Sequence, residues 1–153
     1  MDQIDKKILH LLQADSNLQI SEIADQVGMS TSPCWRRIRK LEEEGVIQSR
    51  VALLNKEKLN LGLTAVISIK TQKHDLDWLE KFAKVVNAMP EAVDFYRMTG
   101  ETDYVIRMVV PDMKAYDEAY KRLISAIDVF DVSASFVMEE IKSTTALPLD
   151  YAK

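Results

Sequence analysis

The chain is short of the residues on which most small-protein chemistries depend. Its 153 residues include one cysteine, Cys34, and two histidines, His10 and His74. One thiol can neither close an internal disulfide nor build a cysteine metal cluster. Two distant histidines, with no Glu-x-x-His or Cys-x-x-Cys spacing, give no reason to expect a metal site. No apolar run approaches the ~20 residues of a membrane-spanning helix. The opening residues, MDQIDKK, lack the apolar core of a signal peptide, so a cytoplasmic location and no membrane partner are expected. No nucleophile–base pair or phosphate-binding glycine loop is visible. Neither an enzyme nor a cofactor is therefore expected.

What is present suits a soluble globular chain: 47% hydrophobic and 29% charged residues, enough for one ordinary domain or two small ones. The net charge of −4 speaks weakly against nucleic acid, but its distribution points the other way. Residues 1–60 hold nine basic and nine acidic residues, and the deficit lies in residues 61–153. Residues 31–41 carry Arg36, Arg37, Arg39 and Lys40 with no acid. A local patch matters more than the total, because screening limits distant charges to about 8 Å.

The segment Ile20–Arg39, ISEIADQVGMSTSPCWRRIR, reads as helix, tight turn, helix. A first helix is expected over Gln3–Gln13, where Ile4, Ile8, Leu11 and Leu12 recur at helical spacing. Ser21 is the expected cap of a second helix, with Ile23, Ala24 and Val27 inward and Gly28 ending it in the left-handed conformation. Met29 fills the turn and Ser30 caps a third helix that runs to about Glu44 and stops at Gly45. Pro33 is tolerated in its first turn, where N–H groups lack helical acceptors.

On that third helix Cys34, Ile38 and Leu41 share one face, with Trp35 expected beside them at the base of the domain. Ser32, Arg36, Arg39 and Lys40 fall opposite, and Arg37 lies at the flank. Hydrophobic inside and basic outside is what a recognition helix in the major groove requires. The expected DNA-facing set is Ser30, Thr31, Ser32, Pro33, Arg36, Arg37, Arg39 and Lys40. Ser32 and Arg36 are the base readers, and Arg39, Lys40 and Arg50 the backbone contacts. The bland alternative is a solvated face balanced by Glu42–Glu44; the preceding helix, the turn and Pro33 favour DNA. Cys34 is expected as a buried small hydrophobe rather than a redox sensor.

A short extended stretch, Ile47–Leu54, and a polar linker, Asn55–Asn60, follow. From Leu61 the period changes. Leu63–Thr71 alternates like a half-buried strand. Trp78, Leu79, Phe82, Val85, Val86 and Met89 repeat as a helix that Pro90 ends. Val93–Thr99 and Asp103–Val110 are strands joined by the turn Gly100–Thr102. A helix opens at Pro111–Asp112, with Met113, Tyr116, Tyr120, Leu123, Ile124 and Ile127 inward, and Phe130–Glu139 is a last strand. The order is βαββαβ, the ferredoxin-like pattern. The fold class is thus α+β, with a helix-turn-helix domain over 1–50, a hinge over 51–60 and a ferredoxin-like domain over 61–153. Such a sheet carries helices on one face, and a second subunit is the usual cover for the other.

The chain resembles the Lrp/AsnC family of transcription regulators over nearly its whole length. The resemblance rests on Ile4-Asp5-Lys6-Lys7-Ile8-Leu9, Ile23-Ala24 and Ser32-Pro33-Cys34-Trp35-Arg36-Arg37-Ile38. It continues in Thr99-Gly100-Glu101-Thr102-Asp103-Tyr104 and in Phe136-Val137-Met138-Glu139-Glu140-Ile141-Lys142. Thr31–Trp35, Val51–Leu54 and Thr144–Leu149 are most similar to a subgroup that includes a cysteine-responsive detoxification regulator. The resemblance implies a winged or simple helix-turn-helix hinged to an effector domain, homodimers assembling into octamers, and pseudo-palindromic double-stranded DNA sites. It implies an amino-acid effector, with cysteine, leucine and methionine all open.

The implied effector site is the turn of Thr99, Gly100, Glu101, Thr102, Asp103 and Tyr104. By its residues alone this turn reads equally as a hairpin and as a ligand loop. In the ligand reading its amides meet a carboxylate and Glu101 or Asp103, the better candidate, meets an ammonium. Gly100 then serves either a positive φ or close ligand approach. The rival from another class is a ferredoxin-like amino-acid sensor that controls a partner enzyme without binding DNA. The outward face of Arg36, Arg39 and Lys40 argues against it.

Overall fold

The computed structural model describes residues 1–72 and 75–153. The chain forms two compact units, Met1–Leu53 with Lys142–Lys153, and Leu54–Ile141. The tail therefore groups with the N-terminal helices, whereas the sequence pattern placed it with the second domain.

In the first unit, α1 spans Gln3–Ala14. Asp2 and Asp5 cap it reciprocally: each carboxylate accepts the other's backbone N–H, at 2.8 and 3.0 Å, so two otherwise unpaired donors are satisfied. Helix α2 spans Ile20–Val27 and begins before the expected cap Ser21. The cap position falls to Gln19, because Glu22 reaches back to accept its backbone N–H at 2.8 Å. Gly28 ends α2 in the left-handed conformation, φ +75°, as its position suggested. Helix α3 spans Thr31–Glu43 with Ser30 as its cap by backbone conformation alone.

Ile8, Leu9, Ile23, Ala24, Cys34, Ile38 and Leu41 form the buried core of this unit, with Met29 packed against it from the turn. Leu149 of the tail joins them. Gln13 holds the tail through a reciprocal amide pair: its Nε2 donates to the Leu147 carbonyl at 3.2 Å and its Oε1 accepts the Leu147 N–H at 2.6 Å. A 3-10 turn at Leu149–Tyr151 follows.

In the second unit a 3-10 turn, Glu57–Leu59, precedes β1 (Leu63–Lys70), α4 (Leu76–Asn87) and β2 (Ala92–Arg97). Then come β3 (Tyr104–Val110), α5 (Met113–Ala126) and β4 (Asp131–Phe136). The sheet order is β2-β3-β1-β4, antiparallel throughout, as the βαββαβ pattern requires. Asp75 and Asp112 cap the helices by accepting the Trp78 and Ala115 N–H groups at 2.8 and 2.9 Å.

Strand alternation sends Ala65, Ile67 and Ile69 of β1 and Tyr104, Ile106, Met108 and Val110 of β3 into one core with the helices. Trp78, Phe82, Phe95 and Tyr104 make an aromatic cluster there, with centroids 4.8–5.7 Å apart. On α5 the inward stripe is narrower than the pattern suggested. Tyr116, Ala119 and Leu123 are buried, while Met113 and Ile124 are exposed. Within this unit no described element covers the other sheet face, where Val66, Val105 and Val109 are half-buried.

Gln13→Ala removes both amide bonds to the tail, a loss of about 1–2 kcal/mol of docking. The Leu147 amide is expected to exchange its hydrogen faster while the Ile38 and Leu41 amides keep their protection. Exchange of Leu147 at the wild-type rate would show that the pair does not hold the tail.

Candidate nucleic-acid and effector sites

Helix α3 presents a two-sided surface. Cys34, Ile38 and Leu41 are buried, while Thr31, Ser32, Arg36, Arg39 and Lys40 are exposed and Pro33 is half-buried. Pro33 is the third helical residue, so its missing N–H removes no helical bond. Arg36 makes no ion pair among the described residues. Arg39 lies 3.5 Å from Glu42 and 3.9 Å from Glu43, Lys40 lies 3.7 Å from Glu44, and Arg50 lies 3.0 Å from Glu42. These exposed pairs are weak and exchangeable.

Two residues of the helix differ from expectation. Trp35 is not packed at the base of the domain but is 49% exposed, with the Arg39 guanidinium 6.0 Å from its ring centroid. The helical wheel carries the signal: Trp35 falls about 40° from Arg39, on the outward side of the buried stripe. Arg37, counted in the DNA-facing set, turns instead to α1. Its Nη1 donates to Asp2 at 2.7 Å and to Asp5 at 2.8 Å. The acidic start of α1 therefore does more than cap a helix; it anchors α3.

Burial pushes the Cys34 thiol pKa up, which suits a packing residue rather than a reactive thiolate. His10 is exposed on α1, and no group of three acidic, His or Cys side chains suited to a metal occurs among the described residues. His74 lies outside the described residues.

The Asp2 carboxyl is held below its ordinary pKa, first by the Asp5 N–H and then by Arg37. Its stabilisation is therefore complete above the ordinary carboxylate range and is lost as pH falls through the lowered value. Arg37→Ala is expected to lower the melting temperature at neutral pH, and the gap to wild type should close on acidification through that range. Melting curves across the acid range check this, and a gap that persists at the acid end would assign the effect to lost packing instead.

The turn between β2 and β3 contains the expected effector residues. The Met98 N–H donates to the Asp103 carbonyl at 2.8 Å, and the Asp103 N–H donates to the Ile69 carbonyl at 3.0 Å. Gly100 has φ +107°, and a Cβ there would meet nothing within 4 Å. Glycine suits the backbone conformation here, and no atom of this chain requires the space. Asp103 is half-buried, and its Oδ2 accepts the Thr71 N–H at 2.8 Å. One oxygen of the expected ammonium acceptor is thus committed to clamping the turn onto the end of β1. Tyr104 is 4% exposed, with its ring in the aromatic cluster. Thr99, Gly100 and Glu101 stand exposed together, with Thr102 half-buried.

Comparison with known proteins agrees with this division of labour. Residues 1–48 match the model of a winged helix-turn-helix DNA-binding domain, and residues 64–147 match the Lrp/AsnC ligand-binding domain. The chain is 49% identical over 151 residues to the DNA-binding transcriptional activator DecR of Escherichia coli, covering 98% of this chain and 99% of that protein. It superimposes on an AsnC family transcriptional regulator from Agrobacterium tumefaciens with a TM-score of 0.97, at 54% identity over the full length of both chains. A transcriptional regulator of Neisseria meningitidis in complex with L-methionine matches with a TM-score of 0.93 and 40% identity, over 98% of this chain and 97% of that one. With both of its units and nearly its whole length matched, the chain belongs to the Lrp/AsnC family of transcriptional regulators.

Proposed function

We propose that this protein is a cytoplasmic regulator that reads a pseudo-palindromic promoter site with two copies of α3 and answers to a small amino acid. The observation that carries the DNA half is the exposed face of α3, with Ser32, Arg36, Arg39 and Lys40 outward over buried Cys34, Ile38 and Leu41. Ser30, Thr31 and Pro33 place the first turn against the groove, and Arg50 adds a phosphate contact. Arg37 serves the interface indirectly, by holding α3 on Asp2 and Asp5.

Residues 1–50 and the tail form the DNA-binding part, 51–60 the hinge, and the ferredoxin-like part senses the effector. The effector site is the Thr99–Asp103 turn, whose amides suit a carboxylate and whose acids, Glu101 and Asp103, suit an ammonium. Cysteine, leucine and methionine are the candidate effectors; the methionine complex of the Neisseria relative supports this class. The half-buried open sheet face is the dimer contact, and dimers assemble into an octamer. Half-sites then lie roughly 34–36 Å, or a multiple, apart. The effector acts through unequal affinity for two assembly states.

Arg36→Ala is expected to weaken specific binding by about 1–3 kcal/mol and to relax preference at one base per half-site. Lys40→Ala should weaken all duplexes alike and flatten the salt dependence by about one unit. Titration of selected and random duplexes over a salt series distinguishes these outcomes. Unchanged affinity in both variants would remove α3 from the interface.

Asp103→Ala is expected to abolish the effector's influence on assembly and promoter occupancy while effector-free DNA binding survives. Calorimetry with cysteine, leucine and methionine, paired with light scattering, measures both. A full effector response in the variant removes Asp103 from the site, and a wild-type monomer at micromolar concentration removes the dimer.

A further inference from the structure

The outward face of α3 carries a large aromatic ring that a charge-based account of the helix leaves unused. Trp35 is 49% exposed and lies outside the core of its unit. Positions 32, 35, 36 and 39 repeat at i, i+3, i+4 and i+7, so Ser32, Trp35, Arg36 and Arg39 form one stripe along the helix. All four are exposed. The Arg39 guanidinium, 6.0 Å from the Trp35 ring centroid, restrains the ring from one side. The stripe therefore presents a hydroxyl, an indole and two guanidinium groups.

The charges flanking Trp35 favour a polyanion as the occupant of this face. The major groove of a duplex exposes one kind of apolar group among its polar edges, the C5-methyl of a pyrimidine. Resting on the assignment of α3 to the groove, we infer that Trp35 is a specificity-determining residue that packs against a pyrimidine C5-methyl, thymine in unmodified DNA. Ser32 and Arg36 then read polar edges on either side of an apolar contact. Binding hides a hydrophobic surface that the free protein leaves in water, so the contact rewards only sequences with a methyl at that step.

The test uses the full chain and the tightest duplex it selects from a random pool, with each dT replaced in turn by dU in both half-sites. Wild type and Trp35→Phe should lose about fourfold in affinity per half-site at one thymine, the worth of a buried methyl. Trp35→Gln should be indifferent to the same replacement, with Trp35→Ala as the second variant should Trp35→Gln fail to fold. At that position 5-methyl-dC should bind more tightly than dC, which separates a methyl contact from one to the thymine O4 and shows whether a methylated cytosine can serve. Three results overturn the inference: no thymine sensitive to dU in wild type, equal sensitivity in the ring-less variant, or equal affinity for dC and 5-methyl-dC. The assignment of α3 to the groove fails separately, through Arg36→Ala and Lys40→Ala variants that both bind every duplex as wild type does.

Discussion

Burial of Cys34, Ile38 and Leu41 decides what α3 can do. Each of these side chains is under 5% exposed, and fully burying an aliphatic chain such as Ile38 or Leu41 contributes roughly 1.5–3 kcal/mol. Turning the helix by one residue would expose that stripe and bury arginines, a cost no rim contact could offset. Ser32, Trp35, Arg36 and Arg39 therefore face outward because the other side cannot. The Arg37 clasp on Asp2 and Asp5 adds a polar key in the same register. Gly28 and Gly45, at φ +75° and +72°, let the chain turn sharply at the ends of α2 and α3.

The second unit solves a related problem with a sheet. Alternation in β1 and β3 points every second residue at α4 and α5, and the aromatic cluster fills the space between. The β2–β3 turn is held by a backbone bond to Ile69 and by the Asp103 clamp on Thr71. The turn is thus bonded toward the sheet and open toward solvent, where Thr99, Gly100 and Glu101 stand. Two hydrogen bonds, to Ile69 in β1 and to Thr71 just past its end, join the turn to its neighbour strand.

Element type and order are legible in the sequence because they rest on periodicity, which is a property of neighbours along the chain. The βαββαβ order, the Gly28 cap and the buried face of α3 all follow from spacing. What is not legible depends on partners distant in sequence. Arg37 reads as one more basic side chain, since nothing local says that Asp2 and Asp5, about thirty residues earlier, reach it. Leu149 reads as a tail residue, and its packing, half-buried, against the core of the first unit is set by a contact across most of the chain. Asp103 reads as a hairpin residue or as an ammonium acceptor, and nothing local says that its partner is Thr71, one strand away. Trp35 misleads for a different reason: its hydrophobicity suggests burial, although its position on the wheel points outward.

On the proposed DNA interface, the charge pattern around α3 would separate affinity from discrimination. Arg39, Lys40 and Arg50 each have a glutamate of the same unit as partner, whereas Arg36 makes no ion pair among the described residues. A phosphate that engages Arg39 or Lys40 displaces a carboxylate, so the net gain at each is smaller than a free cation would give. If Arg39, Lys40 and Arg50 are the phosphate contacts, as proposed, binding insensitive to sequence is modestly reduced. On the proposed interface Arg36, with no such competitor among the described residues, would offer base edges its full donor set. The glutamates Glu42–Glu44, which by themselves suit a neutral solvated face, would on the proposed interface lower the background against which Arg36 and its neighbours select a sequence.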